Sequence, residues 1–173
     1  VHQAEGIRTM NDWTRQAVSA AEAVGKLQSG MNVFVHGASA TPTPLLEALC
    51  ARTDLTGLKL YHMHTAGPAP FVEPSCQGRM TSFSLFTGEP VRRAVQCGQA
   101  DFIPVFLSDI PDLFRSGRIR LDAALLQVSP PDKHGLCSLG TSVDVARAAA
   151  DCAPLLIAEI NRQMPRTHGH STL

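Results

Sequence analysis

Short apolar runs, separated by stretches of helical period, constrain this chain more than any other feature of its sequence. Val33-Phe34-Val35, Leu58-Lys59-Leu60-Tyr61, Ser82-Phe83-Ser84-Leu85, Ala123 to Val128 and Leu155 to Ile160 have the length and apolar character of strands. Ile103-Pro104-Val105 is at most a short strand, because Pro104 cannot donate to a ladder. The stretches between them read as helices. Asp12 to Leu27 carries an apolar stripe of Trp13, Ala17, Ala20, Ala21, Val24 and Leu27, with Asn11 or Asp12 as cap and Gly30 beyond the end. Leu45, Leu46, Ala48 and Leu49 continue a second helix, capped by Thr41 or Thr43, with Pro42 and Pro44 in its first turn. A third opens at Glu89-Pro90-Val91 and closes at Gly98, a fourth spans Asp109 to Arg115 behind Ser108, and a fifth spans Val143 to Ala150 behind Thr141 or Ser142. Apolar strands alternating with helices predict an α/β fold: a mostly parallel open sheet with helices on both faces.

The chain has 173 residues, enough for one domain with its own core. We place that domain at residues 12–173, with 1–11 as a disordered arm or a remnant foreign to the domain. Fifteen Lys+Arg balance fifteen Asp+Glu, which argues against nucleic acid and against an anionic membrane surface as partners. Zero net charge gives little repulsion between copies, so a homo-oligomer is expected. No apolar run reaches the length of a membrane-spanning helix, and the opening residues lack a secretory leader's layout, so cytoplasm is the expected location. The five cysteines are scattered, without a C-x-x-C pair, and read as small buried hydrophobes in a reducing compartment.

In parallel sheets, ligands bind outside the carboxyl ends of the strands. That rule selects four loops: His36–Pro42, His62–Pro70, Ser129–Gly140 and Asn161–His170. The third is the most informative. Ser129, Pro130 and Pro131 leave the strand stiffly, Gly135 and Gly140 permit turns, and Ser138 precedes a helix start. Such a loop suits a carboxylate, a phosphate or a thioester oxygen. Asp132 and His134 form an acid/base pair or, equally, Asp132 stiffens a turn. Gly37, Ser39, Thr41 and Pro42 join a strand to a helix start and let a ligand approach the backbone, yet match neither a dinucleotide fingerprint nor a Walker loop. His62 and His64, and His168 and His170, alternate but have no Asp, Glu or Cys partner at ligand spacing, so no metal is expected.

Ser129-Pro130-Pro131-Asp132-Lys133-His134-Gly135, followed by Cys137-Ser138-Leu139-Gly140 and Ser142-Val143-Asp144, resembles the acetyl-CoA hydrolase/transferase family. Ile157-Ala158-Glu159-Ile160-Asn161 with Met164 to Gly169, and Arg92-Arg93-Ala94-Val95 with Gly98, Asp101 and Pro104 to Leu107, resemble it too. The likeness runs from about Thr14 to the end. It implies the amino-terminal half of a two-domain enzyme that moves coenzyme A between a short-chain acyl-CoA and a carboxylate through a glutamyl-CoA thioester. Coenzyme A is then substrate and product, with no resident cofactor, and the carboxyl-terminal half is the partner. The resemblance places the nucleophile beyond Leu173, so no catalytic residue is assigned among Glu5, Glu22, Glu47, Glu73, Glu89 and Glu159. Gly37–Pro42 and Ser129–Gly140 would wall the acyl or coenzyme A pocket, and Asn161, Arg166 and His168 would order the interdomain surface. The alternative is a stand-alone coenzyme A or sugar-phosphate sensor of the same architecture.

Overall fold

A computed structural model describes residues 13–173; the predicted arm at 1–11 and the caps Asn11 and Asp12 lie outside the described residues. Six strands, β1 (Asn32–Val35), β2 (Leu58–Met63), β3 (Met80–Phe86), β4 (Asp101–Phe102), β5 (Ala123–Val128) and β6 (Leu155–Ile160), form one sheet in the order β4-β3-β2-β1-β5-β6. Every pairing in it is parallel.

The two-residue period of the strands sends alternate side chains to opposite faces, so the sheet has two cores. Val33, Val35, Leu58, Leu60, Ala123 and Leu125 pack under α1 (Ala20–Val24), α2 (Thr43–Ala51) and Val91 of α3 (Glu89–Gln96). Phe34, Tyr61, Ala124, Leu126 and Val128 pack under α4 (Ile110–Arg115) and α5 (Ala146–Cys152). Phe114 of α4 meets Phe34 edge-on, with ring centroids 5.8 Å apart. Helices thus cover both faces.

Several local expectations are corrected. The first helix runs only over Ala20–Val24 and starts at Ser19, whose hydroxyl accepts the Glu22 N–H; Trp13–Arg15 is a separate 3₁₀ turn. α2 is preceded by Pro42 and has no side-chain cap, because the Thr41 hydroxyl donates to the Ala38 carbonyl instead. The edge strand is Asp101–Phe102, not Ile103–Val105; only the Ile103 N–H reaches β3, and Pro104 ends the pairing. Ser108 donates to the Asp109 side chain rather than capping α4. α5 begins later than expected, at Ala146, with the Asp144 carboxylate accepting the Val145 and Ala146 N–H groups. Cys76 is buried, but Cys97 is exposed and Cys50, Cys137 and Cys152 are half-buried, so the buried-hydrophobe reading holds for only one of the five. No helix among the described residues is long and apolar enough to cross a membrane.

Candidate functional site

The strand order reverses between β1 and β5, so the crossovers leave the sheet in opposite directions there. At such a switch point the loops after the two strands diverge and open a crevice. Here those loops are His36–Pro42 and Ser129–Gly140 with its continuation to Ser142.

The two loops are laced together by hydrogen bonds. The Ser39 hydroxyl lies 3.1 Å from that of Thr141 and 2.9 Å from that of Ser142. His36, fully buried at the end of β1, accepts the Gln127 N–H at Nδ1 (3.3 Å) and donates from Nε2 to the Ser142 carbonyl (2.6 Å). With Nδ1 accepting, the ring is the neutral Nε2–H tautomer, and burial holds its pKa below the ordinary value. His36 therefore ties β1 to the loop beyond β5.

Gly37 is required by contact rather than by dihedral. A Cβ there would stand 1.8 Å from the Met63 carbonyl oxygen at the end of β2. Ala38 then adopts φ 50° and donates its N–H to the His64 carbonyl (2.7 Å), while His64 adopts φ 52°. Thr41 joins the same seam by accepting the Ala66 N–H. Asp144, after β5, has φ 23°. All three positive-φ residues other than glycine among the described residues thus follow β1, β2 or β5 at the carboxyl edge of the sheet, and such strain persists only where surrounding structure enforces it.

The Ser129–Gly140 loop is a stiff tongue. Ser129 and Ser138 exchange bonds at its base, through Ser129 N–H to the Ser138 carbonyl and Ser138 N–H to the Ser129 hydroxyl, both 2.9 Å. At its tip Asp132 is a turn residue: Oδ1 accepts the His134 and Leu136 N–H groups, and Oδ2 accepts Arg166 Nη2 at 2.8 Å. These donors, Leu136 N–H first, hold the carboxyl below its usual range. Of the two readings of Asp132 and His134, the structure displays the turn: the carboxylate bonds the His134 backbone, and that side chain is exposed. Arg166 also donates to the Pro130 and Leu136 carbonyls, clamping the tongue from within this domain. The Ser138 hydroxyl is consumed inside, accepting the Gly140 and Thr167 N–H groups. Pro130 and Pro131 are half-buried, Gly135 turns the exposed tip at φ 82°, and Gly140 closes the base at φ 69°.

After β6, Asn161 donates to the Gln127 side-chain oxygen (3.1 Å), and Gln127 donates to Glu159 Oε1 (3.3 Å). Glu159 thus orients Asn161 through Gln127. Its other oxygen is buried without a partner, and desolvation raises its pKa. His168 is exposed. The structure joins Ser39 to Thr141 and Ser142 across the switch point, ties Thr41 to Ala66 and Gln127, closes Gly140 against Ser138 and Thr167, sets Asp132, His134 and Gly135 on the projecting tongue, and uses Asn161 and Arg166 as braces. Sequence reasoning passed over His36 and Gln127 and weighed His64 only as a metal ligand. His-Gly directly after an apolar strand was the available signal for the first.

The fold and this edge define the class: a parallel α/β domain covered by helices on both faces, with its switch point between β1 and β5. The chain belongs to the acetyl-CoA hydrolase/transferase family; it matches that family's N-terminal domain over residues 2–172. It is 48% identical over 155 residues to a succinyl-CoA:acetate/propanoyl-CoA:succinate CoA transferase of Fasciola hepatica, covering 88% of this chain and 32% of that one. It is 39% identical over 160 residues to a 4-hydroxybutyrate coenzyme A transferase of Clostridium kluyveri, covering 92% and 37%. Among solved structures, the 4-hydroxybutyrate CoA-transferase of Porphyromonas gingivalis superposes with a TM-score of 0.76 at 32% identity, over 94% of this chain and 38% of that one. RipA of Yersinia pestis superposes with a TM-score of 0.80 at 28% identity, over 90% and 39%. The chain therefore spans about a third of the length of the curated relatives it matches.

Proposed function

We propose that this domain forms one wall of the acyl-transfer site of a CoA-transferase, which exchanges coenzyme A between a short-chain acyl-CoA and a free carboxylate. The observation that carries the reading is the crevice between β1 and β5, whose loops are cross-linked by Ser39, Thr141 and Ser142 in a chain of this family. Its walls offer hydroxyls and backbone N–H groups and carry no fixed charge at Gly37–Pro42, which suits a thioester or a carboxylate without trapping either.

In this mechanism a glutamate outside this chain attacks the thioester carbonyl and coenzyme A leaves as thiolate. The thiolate then attacks the glutamyl carbonyl of the resulting mixed anhydride, expelling the first carboxylate. A second carboxylate attacks the glutamyl-CoA thioester, and the steps reverse. Covalent catalysis divides one difficult exchange into easier ones. Water in place of the second carboxylate gives hydrolysis. The residues of this domain bind and orient: His36 fixes the two loops in one register, and the Arg166-clamped tongue excludes solvent on one side. Coenzyme A is substrate and product, no resident cofactor is invoked, and the reducing cytoplasm is the proposed compartment.

The test is a CoA-exchange assay on the full-length enzyme carrying this domain, with acetyl-CoA as donor and acetate, propionate, succinate or 4-hydroxybutyrate as acceptor. Exchange with at least one acid at about 1 per second or faster is expected. Absence of exchange with every acid overturns the proposal.

A further inference from the structure

The histidines at the carboxyl edge differ in one respect. His36 has both ring nitrogens engaged, and so does His62, through Ser82 Oγ (2.7 Å) and Thr65 Oγ1 (3.1 Å). His64 does not. Among the described residues, none hydrogen-bonds to its ring, although the residue is half-buried. The ring lies instead against Phe86, centroid to centroid 4.1 Å, tilted 48°.

The backbone around this pair is forced. His64 holds φ 52°, in the left-handed region that few residues besides Gly, Asn, Asp and His adopt. Its carbonyl is held by the Ala38 N–H, and the residue before it presses its carbonyl on Gly37. On the neighbouring strand the pairing slips: His62 pairs with Ser84, but Met63 pairs with Phe86, so Leu85 bulges. Such an irregularity re-aims the side chain that follows it. Phe86 emerges 51% exposed rather than buried in either core, with Ser84 Oγ donating to its carbonyl (2.9 Å). A left-handed histidine, a bulge and a glycine barred from substitution thus combine to present an imidazole and a phenyl ring side by side at the carboxyl ends of β2 and β3, with the His64 carbonyl bonded to the loop after β1.

We propose that His64 and Phe86 determine acyl specificity. His64 hydrogen-bonds an oxygen at the far end of the acyl chain, and Phe86 packs on the methylenes before it. Either tautomer of an imidazole offers one N–H donor, which suits a hydroxyl or a carboxylate. The substrate class is therefore a short acyl group that ends in hydroxyl or carboxylate, in preference to one ending in methyl. This inference rests on the transferase reading above. A site built to hydrogen-bond a substrate oxygen discriminates against the analogue lacking it, because its own polar group is left unpaired.

The pair 4-hydroxybutyrate and butyrate, which differ by one hydroxyl, tests this in the full-length enzyme. Wild-type enzyme should favour 4-hydroxybutyrate in kcat/KM. His64→Gly, which keeps the left-handed backbone and removes the ring, should lower kcat/KM for 4-hydroxybutyrate and succinate about tenfold, through KM, and leave butyrate within about twofold. Phe86→Ala should weaken all four-carbon acids relative to acetate. If His64→Gly does not accumulate as folded protein, His64→Asn, also tolerant of positive φ, should shift the ratio in the same direction. An unmoved ratio of 4-hydroxybutyrate to butyrate, or an equal fall for every acid including acetate, overturns this inference while leaving the transferase reading standing. Wild-type enzyme that exchanges no acid overturns both.

Discussion

His62 shows what a buried, fully engaged histidine costs as pH falls. Burial pushes its pKa down from 6.5 to about 4. In the unfolded chain it titrates near 6.5, so between about pH 6.5 and 4 the unfolded state binds the extra proton and the folded state does not. Stability is therefore intact above about pH 6.5, falls progressively to about pH 4, and loses nothing more to this group below that. The full span corresponds to about 3 kcal/mol. His36, lowered in the same direction, adds to the trend. Urea midpoints at pH 7.5 and 4.5 should thus separate clearly, and His62→Gln should narrow the gap. An equal gap in wild type and variant would assign the acid sensitivity to other groups. A second residue-scale contrast lies at Gly37 and Ala38. Gly37→Ala forces a Cβ against the backbone oxygen of Met63, which cannot swing aside. Its cost should reach the upper part of the usual overpacking range, about 3 kcal/mol, in thermal melts. Ala38→Gly relieves φ 50° and should be neutral or slightly stabilising.

At the scale of elements, the tongue Ser129–Gly140 owes its shape to Arg166 and to the buried Ser138 hydroxyl. Ser138→Ala orphans two backbone N–H groups in a buried setting and should destabilise by about 1–3 kcal/mol. Gly135 is different: nothing lies within 4 Å of a Cβ placed on it, yet φ is 82°. Gly135→Val should cost about 1–3 kcal/mol through dihedral strain alone. If the tongue walls the acyl pocket, the folded Gly135→Val full-length enzyme should also lose kcat/KM for acyl-CoA, and unchanged kinetics would assign the tongue to scaffold. The strands were legible because a buried parallel strand is written as an uninterrupted apolar run, as in Ala123 to Val128. The cap choices were not. Thr41, Thr141 and Ser142 have the right chemistry and position for N-caps, but other partners outbid the local helix: the preceding turn at Ala38 and the distant Ala66 for Thr41, Ser39 for the other two. The short first helix misled for a related reason, since alanines at helical spacing do not say where Ser19 will interrupt them. The switch point itself was invisible. It depends on which strand pairs with which, and only the general rule that ligands sit at carboxyl ends brought the loops that flank it into view.

At the scale of the molecule, the carboxyl edge carries much of the exposed apolar surface: Phe86, Phe102, Phe106 and Leu107, the third 79% exposed. Zero net charge does nothing to keep such surfaces apart, so the 173-residue chain should self-associate or bind apolar dye, and a clean monomer at high concentration without dye binding would count against that. The same edge bears on catalysis. Glu159 is linked to the β1 loop through Gln127, which also donates to the Thr41 carbonyl, and a buried oxygen without a partner gives it the look of a nucleophile. The geometry opposes that role: Oε1 is occupied by Gln127, which also holds Asn161. Glu159 is better placed to set the geometry of the loop after β6 than to attack a thioester. The isolated 173-residue protein should therefore be silent in acetyl-CoA:carboxylate exchange. In the full-length enzyme Glu159→Gln, which preserves size and one acceptor oxygen, should retain kcat within about tenfold, whereas loss of a covalent nucleophile costs on the order of a thousandfold or more. Turnover by the isolated chain at about 1 per second, abolished by Glu159→Gln, would place the covalent step on β6 and reverse the assignment.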